Sequence, residues 1–369
     1  LVLNASPFHM NKVEERHAVA RARVAECGLP LIYANLVGGQ DELVFDGGSF
    51  ALDSTGALTA QAPLFTETLP LIELTGATPA GDRTELPGNE AAVYSALVLG
   101  VRDYVRKNGF PGALLGLSGG IDSALTLVVA VDALGADKVR AVMMPSEFTA
   151  GISLEDAEEL AKNLGVRYDV QPIKRMFDVF LDELADEFEN LPFDQTEENI
   201  QARTRGVILM ALSNKFGHLV LTTGNKSEMA SGYATLYGDM AGGLAVLKDV
   251  AKTLVWRLSR YRNTLNPAIP ERIITRPPSA ELRANQCDQD SLPPYEVLDA
   301  IMAAYVEQDL APREIIAQGF KKEDVQRVVG LIDRAEYKRR QSPPGIRITP
   351  RGFGRDRRYP ITNRYKAPF

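Results

Sequence analysis

Histidine and cysteine are scarce in this chain, three and two among 369 residues. No two of His9, His17 and His218 stand at metal-ligand spacing, and Cys27 and Cys287 make no CxxC. Those absences argue against a zinc centre, a dithiol redox motif and a disulfide framework, and they suit a reducing, cytoplasmic setting. No apolar run is long enough to span a bilayer, and no signal peptide is apparent. The chain has no initiator Met and opens inside an apolar strand-like run, Leu1-Val2-Leu3-Asn4, which points to truncation at that end. Otherwise the composition is ordinary for a globular protein, with 45% hydrophobic and 24% charged residues, and the length allows two domains.

Charge is unevenly spread. The net charge is −7, yet from Lys338 onward ten basic residues face one acidic residue, Asp356, so the preceding part carries −16. A basic tail is usually a solvated or nucleic-acid-binding arm. This one is interleaved with Pro, Gly, Phe and Tyr, so covering an anionic small-molecule site is an equal alternative.

Chemistry enters at residues 113–125. An apolar run, 113–117, reads as a buried parallel strand, and a helical pattern (Ala124, Leu125, Val128, Val129) begins at Asp122. Between them lies Ser118-Gly119-Gly120-Ile121-Asp122-Ser123. A glycine loop between strand and helix turns backbone N–H groups and the positive helix end toward one spot, where phosphate binds. Gly119 and Gly120 permit the backbone angles, Ser118 and Ser123 offer hydroxyls, and Asp122 offers a Mg²⁺ ligand. A bare Ser-Gly-Gly is more often a simple β–α turn. The full S-G-G-x-D-S in this setting is more specific, and it resembles the pyrophosphate loop of the ATP pyrophosphatases.

Around this loop the patterns divide the chain. In residues 1–76, Asn11 is expected to cap a helix from Lys12 to Cys27, followed by strands at 31–36, 43–45, 49–53, 58–60 and 67–74. Residues 77–88 read as a linker. A helix over 89–107 then leads into alternating strands (139–144, 167–171, 218–223) and helices, one opened by Ser153 with Asp156 in a capping box. That alternation implies an α/β fold with a doubly wound parallel sheet, whose ligands lie beyond the carboxyl ends of the strands.

Further phrases narrow the family. Thr222-Thr223-Gly224-Asn225-Lys226-Ser227-Glu228, Asn199-Ile200-Gln201-Ala202-Arg203 and Pro278-Ser279-Ala280-Glu281-Leu282 occur in an order that resembles the synthetase domain of NAD synthetases. Leu3-Asn4-Ala5-Ser6-Pro7 and residues 35–49 resemble the second half of the nitrilase-like glutaminase domain that precedes it in glutamine-dependent members. The resemblance implies a partial nitrilase-like α/β domain at 1–76, a linker at 77–88, an adenine nucleotide alpha-hydrolase-like synthetase domain at 89–337 and a basic segment at 338–369 that is a possible substrate lid. It implies ATP-dependent amidation of deamido-NAD through an acyl-adenylate, releasing AMP and pyrophosphate, with ammonia supplied by glutamine in a full-length protein.

Residue by residue, the resemblance puts ATP at Gly116, Leu117, Ser118, Gly119, Gly120, Ile121, Asp122 and Ser123, with Thr223, Lys252 and Ser279 lining the same site. Asp122 and Glu228 would hold Mg²⁺, Asp122 and Lys252 would be catalytic, and Asn199, Arg203, Glu228 and Lys338 would meet deamido-NAD. The implied partners are small molecules and a second copy in a homodimer or higher homo-oligomer, with no membrane and no nucleic acid. Two positions depart from the pattern of small ammonia-dependent relatives, which carry Lys and Asp where this chain has Leu236 and Gly243. The glutaminase triad of Glu, Lys and Cys has no counterpart here, and Cys27 reads as a buried structural thiol. Alternatives are a sister ATP pyrophosphatase such as GMP synthetase, a tRNA-thiolating enzyme, or an ATP-binding nucleic-acid module.

Overall fold

The computed structural model describes all residues except Asn190, Asn285, Asn363 and 366–369. It divides into two compact units, Leu1–Tyr104 with Ile346–Pro350, and Val105–Gly345 with Arg351–Phe369.

In the first unit, β1 (Val2–Asn4), α1 (Lys12–Cys27), β2 (Leu31–Asn35), β3 (Val37–Gln40), β4 (Leu43–Asp46), β5 (Phe50–Leu52) and β6 (Leu58–Gln61) precede a hairpin of β7 (Glu73–Thr75) and β8 (Thr78–Ala80). The division between units falls within α2 (Asn89–Lys107). One sheet runs β1-β2-β5-β6, with β1 parallel to β2 and the rest antiparallel. Val24, Tyr33, Phe50 and Leu52 form its core against α1. Arg16 and Asp46 close a buried ion pair at 2.5 Å, and Ser6 and Asn35 take the remaining hydrogen bonds. Three details differ from the sequence expectation. Asn11 stands at the α1 N-terminus with φ 64° and makes no side-chain cap. Cys27 is exposed as the last residue of α1, where left-handed Gly28 ends the helix. Within the turn-rich stretch read as a linker, β8 pairs with β7.

The second unit carries the parallel sheet. Its elements are β9 (Ala113–Gly116), α3 (Ile121–Leu134), β10 (Val139–Met143), α4 (Gly151–Leu164), β11 (Arg167–Val170), α5 (Lys174–Leu184), α6 (Gln195–Phe216), β12 (Leu219–Thr222), α7 (Lys226–Ser231) and β13 (Leu244–Ala245). The helices α8 (Lys252–Leu265), α9 (Glu271–Thr275), α10 (Tyr295–Met302), α11 (Pro312–Ala317), α12 (Lys322–Arg334) and α13 (Glu336–Arg339) complete it. Strand order is β11-β10-β9-β12-β13, parallel throughout. Strands buried on both faces must be apolar throughout, and Ala113, Leu114 and Leu115 are fully buried. Each such leucine contributes about 1.5–3 kcal/mol by burial. The chain winds outward from β9 to β11 and then returns to place β12 beside β9. That reversal opens a crevice between the carboxyl ends of β9 and β12.

Two differences follow from packing. Helix α4 starts at Gly151 with Ala150 at its cap. Ser153 is buried and donates to Glu281 Oε1 at 2.6 Å, while Asp156 pairs with Arg272 at 2.6 Å. Both polar side chains therefore serve tertiary contacts instead of a capping box. The basic tail is also packed. Pro344 O accepts from Ala245 N at 2.8 Å, Ile346 and Ile348 are buried, and Arg339 lies over the Phe353 and Tyr359 rings at 4.6 and 5.4 Å.

Candidate functional site

The crevice is a cleft with about 270 Å³ of water-accessible space. Its floor is the loop after β9. Gly119 has φ +79°, and a Cβ there would come within 2.4 Å of Ser153 O, so glycine is required both for the turn and for the close approach. The two serines knit the loop together. Ser118 Oγ and Ser123 Oγ lie 3.1 Å apart, Gly120 N donates to Ser118 Oγ, and Ser123 Oγ donates to Gly120 O. These internal bonds hold the backbone nest open at the start of α3. Ser123 is thus part of the frame of the loop, and Ser118 is shared between frame and cleft wall.

Facing the loop is the turn after β12. Asn225 caps α7 in a reciprocal capping box: its Oδ1 accepts from Glu228 N at 3.0 Å, and Glu228 Oε2 accepts from Asn225 N at 3.1 Å. Asn225 Nδ2 then donates to Asp122 Oδ1 at 2.9 Å, joining the two sides of the crevice. The other Asp122 oxygen, Oδ2, is paired with Lys252 Nζ. A lysine on an amphipathic helix is usually solvated. This one begins α8 with its side chain 1% exposed, and Asp122, Glu228 and Asp288 together outweigh the cost of its burial and hold its charge. Burial first, and the Asp122 charge second, push the Glu228 carboxyl well above its ordinary range. Asp288 is buried, accepts from Tyr295 OH at 2.7 Å and is likewise raised by burial.

The cleft walls combine apolar and cationic groups. Met144, Leu209 and Gly116 make one side. Arg205 donates to Met144 O at 3.0 Å, and burial lowers its pKa to about 10. Residues 276–282 and Asp288 form the other side, where Arg276 donates to Gly119 O at 3.2 Å. Ser279, also in the lining, donates to Gln286 O at 2.6 Å and shapes that segment.

Of the residues singled out from the sequence, Gly116, Leu117, Ser118, Gly120, Ile121, Asp122, Ser123, Thr223, Glu228, Lys252 and Ser279 line this cleft. Gly119, within the loop, lies against the Ser153 backbone and not in the cleft lining. Asn199, Arg203 and Lys338 do not line the cleft; they converge on the neighbouring segment 232–239. Thr235 Oγ1 donates to Asn199 Oδ1 at 2.8 Å, Arg203 Nε donates to Leu236 O at 3.2 Å, and Lys338 Nζ donates to Gly232 O and Ala234 O at 2.8 and 2.7 Å.

Sequence reasoning missed Arg205, Asn225 and Asp288 as members of the site. A signal existed for Arg205: successive helix positions turn by about 100°, so residues two apart point in nearly opposite directions. Arg203 therefore shares a face with Asn199, while Arg205 falls with Ala202, Gly206 and Leu209 on the cleft side. At Gly243 a Cβ would come within 2.4 Å of Leu219 Cδ1, so a side chain there needs the Leu219 tip to shift.

The geometry can be set beside known proteins. The NAD synthase family matches residues 93–342, and the carbon-nitrogen hydrolase family matches residues 1–78. The chain is 53% identical over 377 residues to the glutamine-dependent NAD(+) synthetase of Acinetobacter baylyi, covering 99% of this chain and 69% of that protein. It is 46% identical over 397 residues to the Aquifex aeolicus enzyme of the same name, covering 98% of this chain and 70% of that one. A solved glutamine-dependent NAD+ synthetase from Acinetobacter baumannii, in complex with ADP, superimposes with TM-score 0.73 at 50% identity, covering 100% of this chain and 69% of that one.

Proposed function

The chain belongs to the glutamine-dependent NAD(+) synthetase family, and from that premise we propose how its residues divide the work of amidating deamido-NAD with ATP. A carboxylate is a poor acyl donor because its oxygen leaves badly. The nicotinate carboxylate of deamido-NAD attacks the α-phosphorus of ATP, the bond to the β-phosphate oxygen breaks, and pyrophosphate departs. Ammonia then adds to the acyl carbon, loses a proton, and AMP leaves.

The triphosphate lies against the loop 118–123, whose backbone donors and helix start meet its charge. Lys252 holds the α-phosphate as negative charge builds on it, released from or shared with Asp122. Thr223 and Ser279 border the same nucleotide. Asp122 and Glu228 suit magnesium. Among the described residues no group of three or more His, Cys, Asp or Glu side chains forms a metal cage. Magnesium keeps its waters and uses one or two carboxylates with substrate phosphates, which matches this donor set. Burial first, and then the Asp122 charge, hold Glu228 toward its neutral form, and a divalent cation beside both carboxylates would favour the ionised form. Such an ion, when bound, offsets charge on the departing pyrophosphate. Asn199, Arg203 and Lys338 serve deamido-NAD through the segment 232–239, which they anchor. No nucleophilic side chain is needed, in keeping with the scarcity of histidine and cysteine.

The observation that carries this reading is the meeting of Asp122, Asn225, Glu228 and Lys252 at the sheet's switch point. As a domain division the reading keeps a first domain at 1–76, a linker at 77–88, a synthetase domain at 89–337 and a terminal segment from 338; the family matches, 1–78 and 93–342, run close to the first bounds and extend past the last. That segment's arginines favour no nucleic-acid role, since Arg339, Arg351 and Arg357 are engaged by Phe353, Tyr359 and Asp309. No helix among the described residues is long and apolar enough to cross a membrane. Cytoplasmic residence fits two unbridged thiols, and assembly into a homodimer or higher homo-oligomer is the expectation from the family.

The test is incubation of the protein with ATP, Mg²⁺ and deamido-NAD plus either ammonium or glutamine. Equal yields of NAD and AMP, with pyrophosphate, are expected from ammonium. A polypeptide of these 369 residues should not use glutamine, because Cys27 is exposed at a helix end and Cys287 lies beside Pro278 and Gln289, with no Glu–Lys pair assigned to activate either thiol. Absence of deamido-NAD-dependent pyrophosphate release would overturn the assignment.

A further inference from the structure

The groups that meet ATP are the front of the Thr223–Glu228 turn and the first residue of α8. Their backs meet at one carboxylate. Asp299, on α10, is buried and faces away from the cleft. Its Oδ1 accepts from Ser227 Oγ at 2.5 Å, and its Oδ2 accepts from Thr253 N at 2.8 Å. Ser227 Oγ in turn accepts from Lys252 N at 2.9 Å. Three elements, α7, α8 and α10, are therefore tied through two side chains at the point where Glu228 and Lys252 leave the backbone.

We propose that Asp299, acting through Ser227, is a positioning residue for adenylation: it sets Lys252 against Asp122 and the Asn225–Glu228 capping box. The chemistry favours this role over simple packing. Thr253 N is the second amide of α8, and like Lys252 N it has no intrahelical partner, so the anion and the hydroxyl satisfy donors that the helix leaves open. An apolar residue of the same size would leave the Thr253 amide and the Ser227 hydroxyl proton without acceptors. The network also fixes the hydroxyl's direction. Ser227 takes Lys252 N on its lone pair and gives its proton to Asp299, so a carboxylate suits this position and an amide does not. The start of α8 moves with Ser227, and the Lys252 ammonium moves with it. A misplacement of about 1 Å in such a group can cost on the order of a hundredfold in rate.

This inference rests on the assigned reaction, and its test separates the two. Deamido-NAD-dependent exchange of labelled pyrophosphate into ATP reads adenylation alone. Exchange by the wild-type protein is the premise; its absence would count against the assigned reaction, not against Asp299. Given exchange, Asp299→Asn is expected to lower its maximal rate 10- to 100-fold while the KM values for ATP and deamido-NAD stay within threefold. In a Lys252→Met background the same change should cost less than twofold more, because it acts through Lys252. Ser227→Ala, a smaller change, should show the same pattern and supplies the test if Asp299→Asn does not fold. Wild-type exchange by the folded variants, or losses that multiply fully in the Lys252→Met background, would overturn the proposal.

Discussion

The two units of this molecule both bury charged and polar groups, but they do so to different ends. In the first unit the buried groups close on one another. Arg16 meets Asp46 through two guanidinium nitrogens, Asn35 donates to Asp46, Ser6 and Gly47, and Gln61 Nε2 takes the carbonyls of Gly48 and Ala62. Such a network specifies the packing of strands and presents nothing to a ligand. In the second unit Lys252 and Asp288 are buried and Asp122, Glu228 and Arg205 half-buried, and all border one cleft. Like charges there are held near one another, as the raised Glu228 carboxyl reports. Where buried polar groups satisfy each other they are architecture; where they crowd one sign of charge along a cavity they await a counter-charge.

The sharpest way to break that contrast is Asp122→Asn. It is nearly isosteric, keeps the Asn225 and Ser123 neighbourhoods, and removes one charge beside Lys252. Pyrophosphate release should fall at least a thousandfold, about 4 kcal/mol of barrier, a loss read on the folded variant because Lys252 also loses an ion-pair partner. A folded variant with near-normal NAD formation would remove Asp122 from the mechanism.

Arg16→Met tests the other side of the comparison. It strands a fully buried Asp46, and loss of one partner of a buried ion pair costs about 3–5 kcal/mol. Denaturant melts should show that loss in the first unit, while deamido-NAD-dependent pyrophosphate exchange in the remaining folded protein is unchanged. A large kinetic defect without destabilisation would give Arg16 a functional role.

Lys338→Ala is expected to have the smallest effect. Its ammonium holds the carbonyls of Gly232 and Ala234, so the segment 232–239 loosens without touching the phosphate loop. The KM for deamido-NAD should rise about tenfold and that for ATP less than twofold; the size follows from loss of the two charge-assisted hydrogen bonds in a half-buried setting. Equal effects on both substrates would place Lys338 in general support of the fold. No effect would leave it a surface lysine.

How much of this was legible beforehand varied with the physics. The strand at 113–116, the glycine loop and α3 were readable because fully apolar strands, αL glycines and helix starts are imposed locally. The same holds for the Thr223–Glu228 turn, whose capping box is a sequence pattern in itself. Caps at Asn11 and Ser153 were not readable, since a cap is only a preference and long-range partners outweighed it: Ser153 found Glu281, and Asn11 turned left-handed. The tail from Lys338 read as a lid or a solvated arm from its charge, but ring faces at Phe353 and Tyr359 hold Arg339 inside the fold.

The sequence by itself determined the loop, the turn, the parallel α/β alternation and the family, because each depends on neighbours within a few residues or on the order of such phrases. Only the tertiary structure decided which charged side chains share a cavity. Asp122 and Lys252 are separated by 130 residues, and Ser227 and Asp299 by 72. Bringing them together depends on the reversal that lays β12 beside β9. No local pattern carries that information, since a charge gives the same sequence signal whether it faces solvent or a buried partner.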